Sequence, residues 1–182
     1  MLSFAESLQL MESWVESESL RRHMRSVEIA MRSYAGRFGA DQETWAIAGV
    51  LHDFDYQRFP ESHPYRGVEI LAQSGYPEEI TQAILAHAAY TGAPRATLMA
   101  KTLFAVDELT GLITAAALIR PERSLSGLEA ASLKKKFKDK SFAKGVNRAE
   151  IELGATELGI PLGEHLEFVL RAMQAESELL GL

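Results

Sequence analysis

The residues of this sequence best suited to shared chemistry are its histidines and a few nearby carboxylates. Four of the five histidines lie in the first half of the 182-residue chain. His52 is followed directly by Asp53, at the end of an apolar segment that is predicted to be helical. An imidazole and a carboxylate that are adjacent at a helix end can both turn onto one ion where the helix unwinds. The pair alone is weak evidence, but together with the residues described next it indicates a metal site, with His52 and Asp53 as primary ligands and as the catalytic pair.

Three further polar residues lie on apolar stripes of predicted helices, namely His23, His87 and Asp107. An unpaired polar side chain is costly there, and a buried carboxylate needs a cation or hydrogen-bond donors. Taken one at a time, an inward histidine is more often a satisfied core residue than a ligand. Taken together, a shared metal ion accounts for all three better than separate structural roles do. His165 falls in what reads as a solvated helix start, and it is assigned no role.

The absence of cysteine restricts the chemistry of such a site. With no thiolate available, imidazole and carboxylate groups must hold the metal, and no thiol nucleophile exists. These ligands suit divalent Mn, Fe, Co, Mg, Ni or Zn, and the sequence leaves open whether one ion or two bind. A covalent route has no obvious candidate, so we expect water to be the attacking group.

Helical periodicity dominates the chain, and no segment alternates in the way that a half-buried strand does. The predicted fold is all-α, a single-domain bundle of several helices over residues 1–182. Its metal-binding core takes about residues 20–110, and C-terminal helices at about 124–182 pack on that core. Gly39 and Pro121 are expected to end two helices, while Asp41 and Asn147 are expected to begin two others.

Composition limits the classes of partner. The chain carries a net charge of −6, which argues against a dedicated nucleic-acid binder. It has no apolar run long enough to cross a membrane and no basic, apolar start typical of a signal peptide, so we expect a cytoplasmic protein. The oligomeric state stays open between a monomer and a homo-oligomer.

A basic segment at residues 134–148 contrasts with the acidic chain around it. One interpretation is a solvated helix face, and the other is a rim that steers a phosphate-bearing substrate. Lys140 and Lys144 are expected to share a helix face, as are Lys134 and Lys138. The candidate substrate-binding residues are Lys136, Lys138, Lys140 and Arg66.

The order of the polar residues resembles a known signature. His23, then His52-Asp53, then Asp107 is similar to the H…HD…D pattern of HD-domain metal-dependent phosphohydrolases, over about residues 20–110. Residues 63–71 and 84–87 resemble the HDIG-type subset, in which two further histidines complete a dinuclear site. The metal ligands that this resemblance implies are His23, His52, Asp53, His63, His87 and Asp107.

The sequence also departs from that subset at two places. Phe54-Asp55-Tyr56 replaces the Ile-Gly of the pattern, and Ala88 stands where many members carry a second consecutive histidine. Residues 105–111 and 134–140 look like parts of a small, largely uncharacterised bacterial branch of the superfamily. That branch supplies no substrate.

The resemblance implies hydrolysis of a phosphoester, from a nucleotide or a small phosphomonoester, by a metal-activated water. Two alternatives stay open. The same ligand order is similar to that of the di-iron oxygenases of the superfamily, which bind O₂ at a six-residue His/Asp site. A regulatory module that binds metal without turnover is the other alternative, and its expected sign would be a missing ligand. None of the expected ligands is missing.

Overall fold

The computed structural model describes residues 3–182, and this part of the chain consists of α-helices, short loops and one 3-10 turn, with no strand. The predicted all-α fold class is confirmed. In chain order the helices are α1 (Phe4–Trp14), α2 (Glu18–Phe38), α3 (Gln42–Leu51), α4 (Tyr65–Gln73), α5 (Glu78–His87), α6 (Leu98–Leu118), α7 (Ala130–Lys138), α8 (Arg148–Leu158), α9 (Leu162–Ala175) and α10 (Ser177–Leu180). Across residues 3–182, no helix is both long enough and apolar enough to span a membrane.

The helix ends follow the local sequence signals. Asp41 accepts a hydrogen bond from the Thr44 N–H at the start of α3, and Asn147 accepts one from Glu150 at the start of α8. Gly39 ends α2 with a φ of 68°, in the left-handed region that a residue with a Cβ rarely adopts. Helix α6 stops at Leu118, just before Pro121. These predicted boundaries are confirmed.

The two longest helices, α2 and α6, pack against each other at the centre of the molecule. Helix α3 packs on α2, and α5 packs on α6. Of the C-terminal helices, α8 packs on α6, and α9 packs on both α2 and α6. Two glycines permit close approach, because a Cβ at Gly49 would lie 2.8 Å from Glu28 Cα and one at Gly154 would lie 2.5 Å from Ala105 Cα. Helix α3 is therefore held close to the backbone of α2, and α8 close to that of α6.

The expectation that His165 is solvated is wrong. Its ring is fully buried, where the Tyr34 hydroxyl lies 2.7 Å from Nδ1 and the Ala105 carbonyl oxygen lies 2.9 Å from Nε2. The charged neighbours on either side of His165 gave the segment its polar character. Helix α9 turns those neighbours outward and places His165 on the same face as Leu166 and Val169, which are buried.

The basic segment is helical only in part. Helix α7 ends at Lys138, and Asp139 follows with an extended backbone (ψ 99°) whose side chain accepts the Ser141 N–H at 2.9 Å. The expectation that Lys140 and Lys144 share a helix face is therefore wrong, because both lie in the loop before α8. Leu133 and Phe137 are the buried residues of α7.

Candidate metal centre

Six side chains converge where the central helices meet the ends of α3 and α5. Helix α2 supplies His23, and α6 supplies Asp107 near its middle. His52 and Asp53 follow the last residue of α3, where the helix unwinds into a turn. His63 lies in the loop before α4, and His87 is the last residue of α5. The structure thus brings together every ligand that the sequence predicts, which are His23, His52, Asp53, His63, His87 and Asp107.

The first group of ligand atoms is formed by His23, His52 and Asp107. His23 Nε2 lies 2.9 Å from Asp107 Oδ1 and 3.2 Å from His52 Nε2. His52 Nε2 lies 3.5 Å from the same carboxylate oxygen. The three atoms therefore form a compact triangle that could hold one metal ion.

Asp53 lies between this triangle and the two remaining histidines. Its Oδ2 is 3.5 Å from His52 Nε2 and 3.9 Å from His23 Nε2. Its Oδ1 is 3.2 Å from His63 Nε2 and 3.4 Å from His87 Nε2. The two oxygens of one carboxylate thus face different pairs of imidazole nitrogens. The atoms of His52, Asp53 and His87 also lie close enough together to form a second set that could hold an ion.

The hydrogen bonds of the outer ring nitrogens fix the orientation of the imidazoles. His52 Nδ1 donates to the Gly49 carbonyl oxygen at 2.8 Å, and His87 Nδ1 donates to that of Ile84 at 2.5 Å. Because a carbonyl oxygen can only accept, each Nδ1 carries the proton. Each Nε2 can then present its lone pair to the centre.

The other two histidines follow the same rule. His63 Nδ1 donates to Asp55 Oδ1 at 2.7 Å. The Thr110 hydroxyl donates to the Asp107 carbonyl oxygen at 2.9 Å and lies 3.4 Å from His23 Nδ1, so its lone pair faces that nitrogen. All four rings therefore turn Nε2 inward.

Electrostatics keeps both central carboxylates ionised. Burial by itself would raise the pKa of Asp53, but the positive charge and hydrogen bond of His52 hold that pKa well below its usual range. Burial likewise opposes ionisation of Asp107, and hydrogen bonds from His23 and His52 lower its pKa. The centre therefore favours added positive charge.

The carboxylates in turn raise the pKa of the histidines beside them. Burial favours neutral His52, but Asp53 and Asp107 raise its pKa well above the ordinary value. Burial also opposes the charging of His63, and hydrogen bonds to Asp53 and Asp55 outweigh it, so that its pKa rises to about 9. Positive charge at this position can come from protons or from a bound cation, and the donor set of imidazole nitrogens and carboxylate oxygens fits a divalent metal ion.

Comparison with known proteins agrees with this arrangement. The family model described as HD domain matches residues 20–112, over half of the chain, and this range contains all six converging side chains. The chain belongs to the HD domain family. The family resemblance drawn from the sequence is confirmed, and with it membership of a superfamily of metal-dependent phosphohydrolases. A comparison with curated proteins and another with solved structures gave no significant match.

A cavity of about 650 Å³ opens onto the centre of this HD domain. Asp53, His63, His87 and Asp107 form part of its wall. Among residues 3–182, the other lining side chains are Tyr56, Ala88, Ala89, Tyr90, Glu108 and Glu150. No lysine or arginine of that range lines the cavity, so the only fixed charges in the wall beyond the histidines are negative.

The predicted substrate-binding residues lie outside this lining. Lys136 extends over the Phe142 ring at 4.7 Å, and Lys138 and Lys140 are exposed. Helix α7 turns its apolar face toward α6 and α9, which directs the lysines away from the core. Arg66 is paired with Glu69 on the exposed side of α4. The structure does not bring these four residues to the metal centre.

Sequence reasoning missed the groups that orient the ligands. In the sequence Asp55 stands out only as a departure from the family pattern, yet its side chain is buried against His63. Thr110 follows Asp107 by one helical turn, and Tyr90 donates from its hydroxyl to the His63 carbonyl oxygen at 2.6 Å. One signal was available: a third polar residue in the otherwise apolar segment around His52.

Proposed function

We propose that this HD domain hydrolyses a small phosphomonoester with a water molecule activated at a centre of one or two divalent metal ions. The observation that carries the proposal is the Asp53 carboxylate, whose two oxygens face two groups of imidazole nitrogens in the wall of an open cavity. Two cation positions that share one carboxylate suit phosphoryl transfer, in which attacking and leaving oxygens both need stabilisation.

The ligand separations support this assignment. Ligand atoms at about 2.0 to 2.2 Å from a metal ion lie roughly 3 to 3.5 Å apart in common coordination geometries. The separations within the first group are 2.9 to 3.5 Å, and those from Asp53 to His63 and His87 are 3.2 and 3.4 Å. In the proposal, His23, His52 and Asp107 would hold the first ion. Asp53, with His63 and His87 beside its other oxygen, would hold a second.

Each part of the site has a role in the proposed reaction. When bound, the divalent ion polarises a phosphoryl oxygen and lowers the pKa of an attacking water. Asp53, half-buried beside both pairs of imidazoles, would orient that water, and its negative charge would balance the positive charge on either side. Tyr56 and Tyr90 at the cavity wall offer exposed ring surfaces to the organic part of the substrate.

The charge of the cavity favours a small substrate with one phosphate. A polyphosphate needs fixed cations along its length, and beyond the metal centre the wall carries Glu108 and Glu150 instead. A nucleoside monophosphate is compatible with this reasoning, since Tyr56 and Tyr90 can stack on a base.

The test combines metal analysis with an activity screen. Protein stripped with chelator is reloaded separately with Mn²⁺, Fe²⁺, Co²⁺, Mg²⁺, Ni²⁺ and Zn²⁺, and then assayed on phosphomonoesters and on nucleoside mono- and triphosphates. We expect metal-dependent phosphate release from a phosphomonoester, with triphosphates poorer by about tenfold or more. Absence of phosphate release with every ion would contradict the proposal.

A di-iron oxygenase is the second candidate, because six histidine and aspartate side chains meet at a shared carboxylate. Mixed-valent iron in the isolated protein, together with substrate-dependent O₂ uptake, would favour it. Stoichiometric metal without phosphate release or O₂ uptake would favour a non-catalytic, metal-binding module.

A further inference from the structure

The four histidines of the centre differ in what holds their outer nitrogen. Three of them face neutral oxygens, which belong to the Thr110 hydroxyl and to the Gly49 and Ile84 carbonyls. His63 alone among the four faces a carboxylate, that of Asp55. The partner of His63 therefore adds a negative charge where the others add none.

Asp55 is built into the core around this contact. Its side chain is 1% exposed, and both carboxylate oxygens are used. Oδ1 accepts from His63 Nδ1 at 2.7 Å, and Oδ2 accepts from the Gly67 backbone N–H at 2.7 Å. Gly67 lies in the first turn of α4, where Pro64 provides no capping side chain. Asp55 thus accepts from a free N–H at the start of α4, 12 residues further along the chain.

The packing around Asp55 allows its carboxylate only one placement, against the backbone of α4. A Cβ on Gly67 would lie 2.7 Å from Asp55 Cγ, so only glycine allows the carboxylate to approach this backbone. The backbone of His63 is held separately by the Tyr90 hydroxyl, which donates to its carbonyl oxygen. Ring and backbone of His63 are therefore fixed by two independent contacts.

We propose that Asp55 is a positioning residue: it keeps the proton of His63 on Nδ1, directs Nε2 toward Asp53 Oδ1, and so builds the second cation position. This inference rests on the proposed function for the existence of that position. A carboxylate behind a metal-binding imidazole fixes its tautomer and increases its basicity, and loss of such a partner typically weakens metal binding about 10- to 100-fold.

The experiment compares Asp55→Asn with the wild-type chain by calorimetric titration of the metal-free protein with Zn²⁺. An amide cannot accept from both His63 and Gly67, because one of its two positions becomes a donor. We expect two binding events in the wild type and, in Asp55→Asn, a second event weakened about 10- to 100-fold with the first unchanged. The matched control is Asp41→Asn, which makes the same chemical change at the start of α3, where asparagine also caps a helix.

A second variant and a spectrum guard against misfolding. Gly67→Ala displaces the Asp55 carboxylate and should weaken the same event, while far-ultraviolet circular dichroism reports the helix content of both variants. In the Zn²⁺-loaded wild type, long-range ¹H–¹⁵N spectra should place the His63 proton on Nδ1. A proton on Nε2 would overturn the inference without any variant.

The remaining outcomes separate this inference from the proposed function. Two binding events with wild-type affinities in folded Asp55→Asn would overturn the role of Asp55 alone. A single event in the wild type would remove the second position, and the inference with it, while a one-ion hydrolase would stand. No Zn²⁺ binding by the wild type would overturn the inference, while the proposed function is decided by the activity screen with all six ions.

Discussion

Two buried regions of this molecule use histidine in opposite ways. In the link between α2, α6 and α9, both nitrogens of His165 have protein partners: Nε2 donates to the Ala105 carbonyl oxygen, and Nδ1 accepts from the Tyr34 hydroxyl. In the candidate metal centre, each ring uses Nδ1 for a protein contact and turns Nε2 toward carboxylates or another Nε2. Ring nitrogens that converge on shared carboxylates and on one another, rather than each on a partner of its own, distinguish a ligand set from a structural histidine.

The same contrast appears in the direction of the pKa shifts. Burial lowers the pKa of His165, and the Ala105 carbonyl opposes that shift only in part. Burial acts in the same direction on His52, but Asp53 and Asp107 reverse the outcome and raise its pKa. Neighbouring charge, rather than depth in the core, therefore decides whether a buried histidine attracts positive charge.

The largest expected effect comes from removing the shared carboxylate. Asp53→Ala should lose bound metal and lower hydrolysis by more than about 100-fold, since both groups of imidazoles lose the oxygen between them. His52→Ala should behave in the same way. Metal content by elemental analysis and phosphate release measure the two effects.

The control for this prediction is His165→Gln, which changes an equally buried histidine outside the centre. It should retain the wild-type metal stoichiometry. Stoichiometric metal in both Asp53→Ala and His52→Ala would contradict the assignment of these residues as primary ligands.

The next largest expected effect is on the stability of the fold rather than on metal binding. His165→Ala should lower the free energy of unfolding by about 2 to 4 kcal/mol, because it leaves a cavity and removes the partners of Tyr34 and Ala105. Tyr34→Phe should cost about 1 to 2 kcal/mol, and the double variant should cost less than the sum. Urea unfolding with chelator present measures these values. Additive losses would show that the two side chains do not act as a pair.

Helix ends and ligand order could be predicted from the sequence, whereas orientation within the core could not. Asp41 and Gly39 act through neighbouring backbone groups, so a few residues suffice to recognise them. Asp55 depends on His63 and on the missing Cβ of Gly67, which only the folded chain brings together. The buried position of His165 depends on hydrogen-bond partners 60 and 131 residues away in the chain. Its polar sequence neighbours instead indicate a solvent-exposed residue.

The pH dependence of stability sharpens the contrast between the two regions. The pKa of His165 in the folded state is lowered from its ordinary value of about 6.5. At a pH between these two pKa values, the unfolded chain binds more protons than the folded chain. The stability of the fold therefore falls as the pH falls through this window. The stability advantage of the wild type over His165→Gln should therefore shrink below about pH 6.5, by at most about 1.4 kcal/mol per pH unit. Urea titrations at pH 7.5 and 5.5 with chelator present measure it. An advantage that is constant over this range would contradict the lowered pKa.

The smallest expected effect concerns the basic segment. The effect of its lysines on the substrate depends on where they lie relative to the cavity more than on their charge alone. Lys136, Lys138 and Lys140 lie outside the cavity lining, so in the steering interpretation they act through their field rather than by contact with substrate. The triple Lys→Gln variant should lower kcat/KM at low salt by about two- to fivefold, mainly through KM, at the weak end of steering effects. The loss should vanish near 0.5 M salt, where the screening length falls to about 4 Å.

Metal content should not change, which separates steering from damage to the centre. Unaltered kinetics at low salt would show that these lysines form only a solvated surface, and a loss that persists at high salt would point to direct contact in a conformation that brings α7 to the cavity.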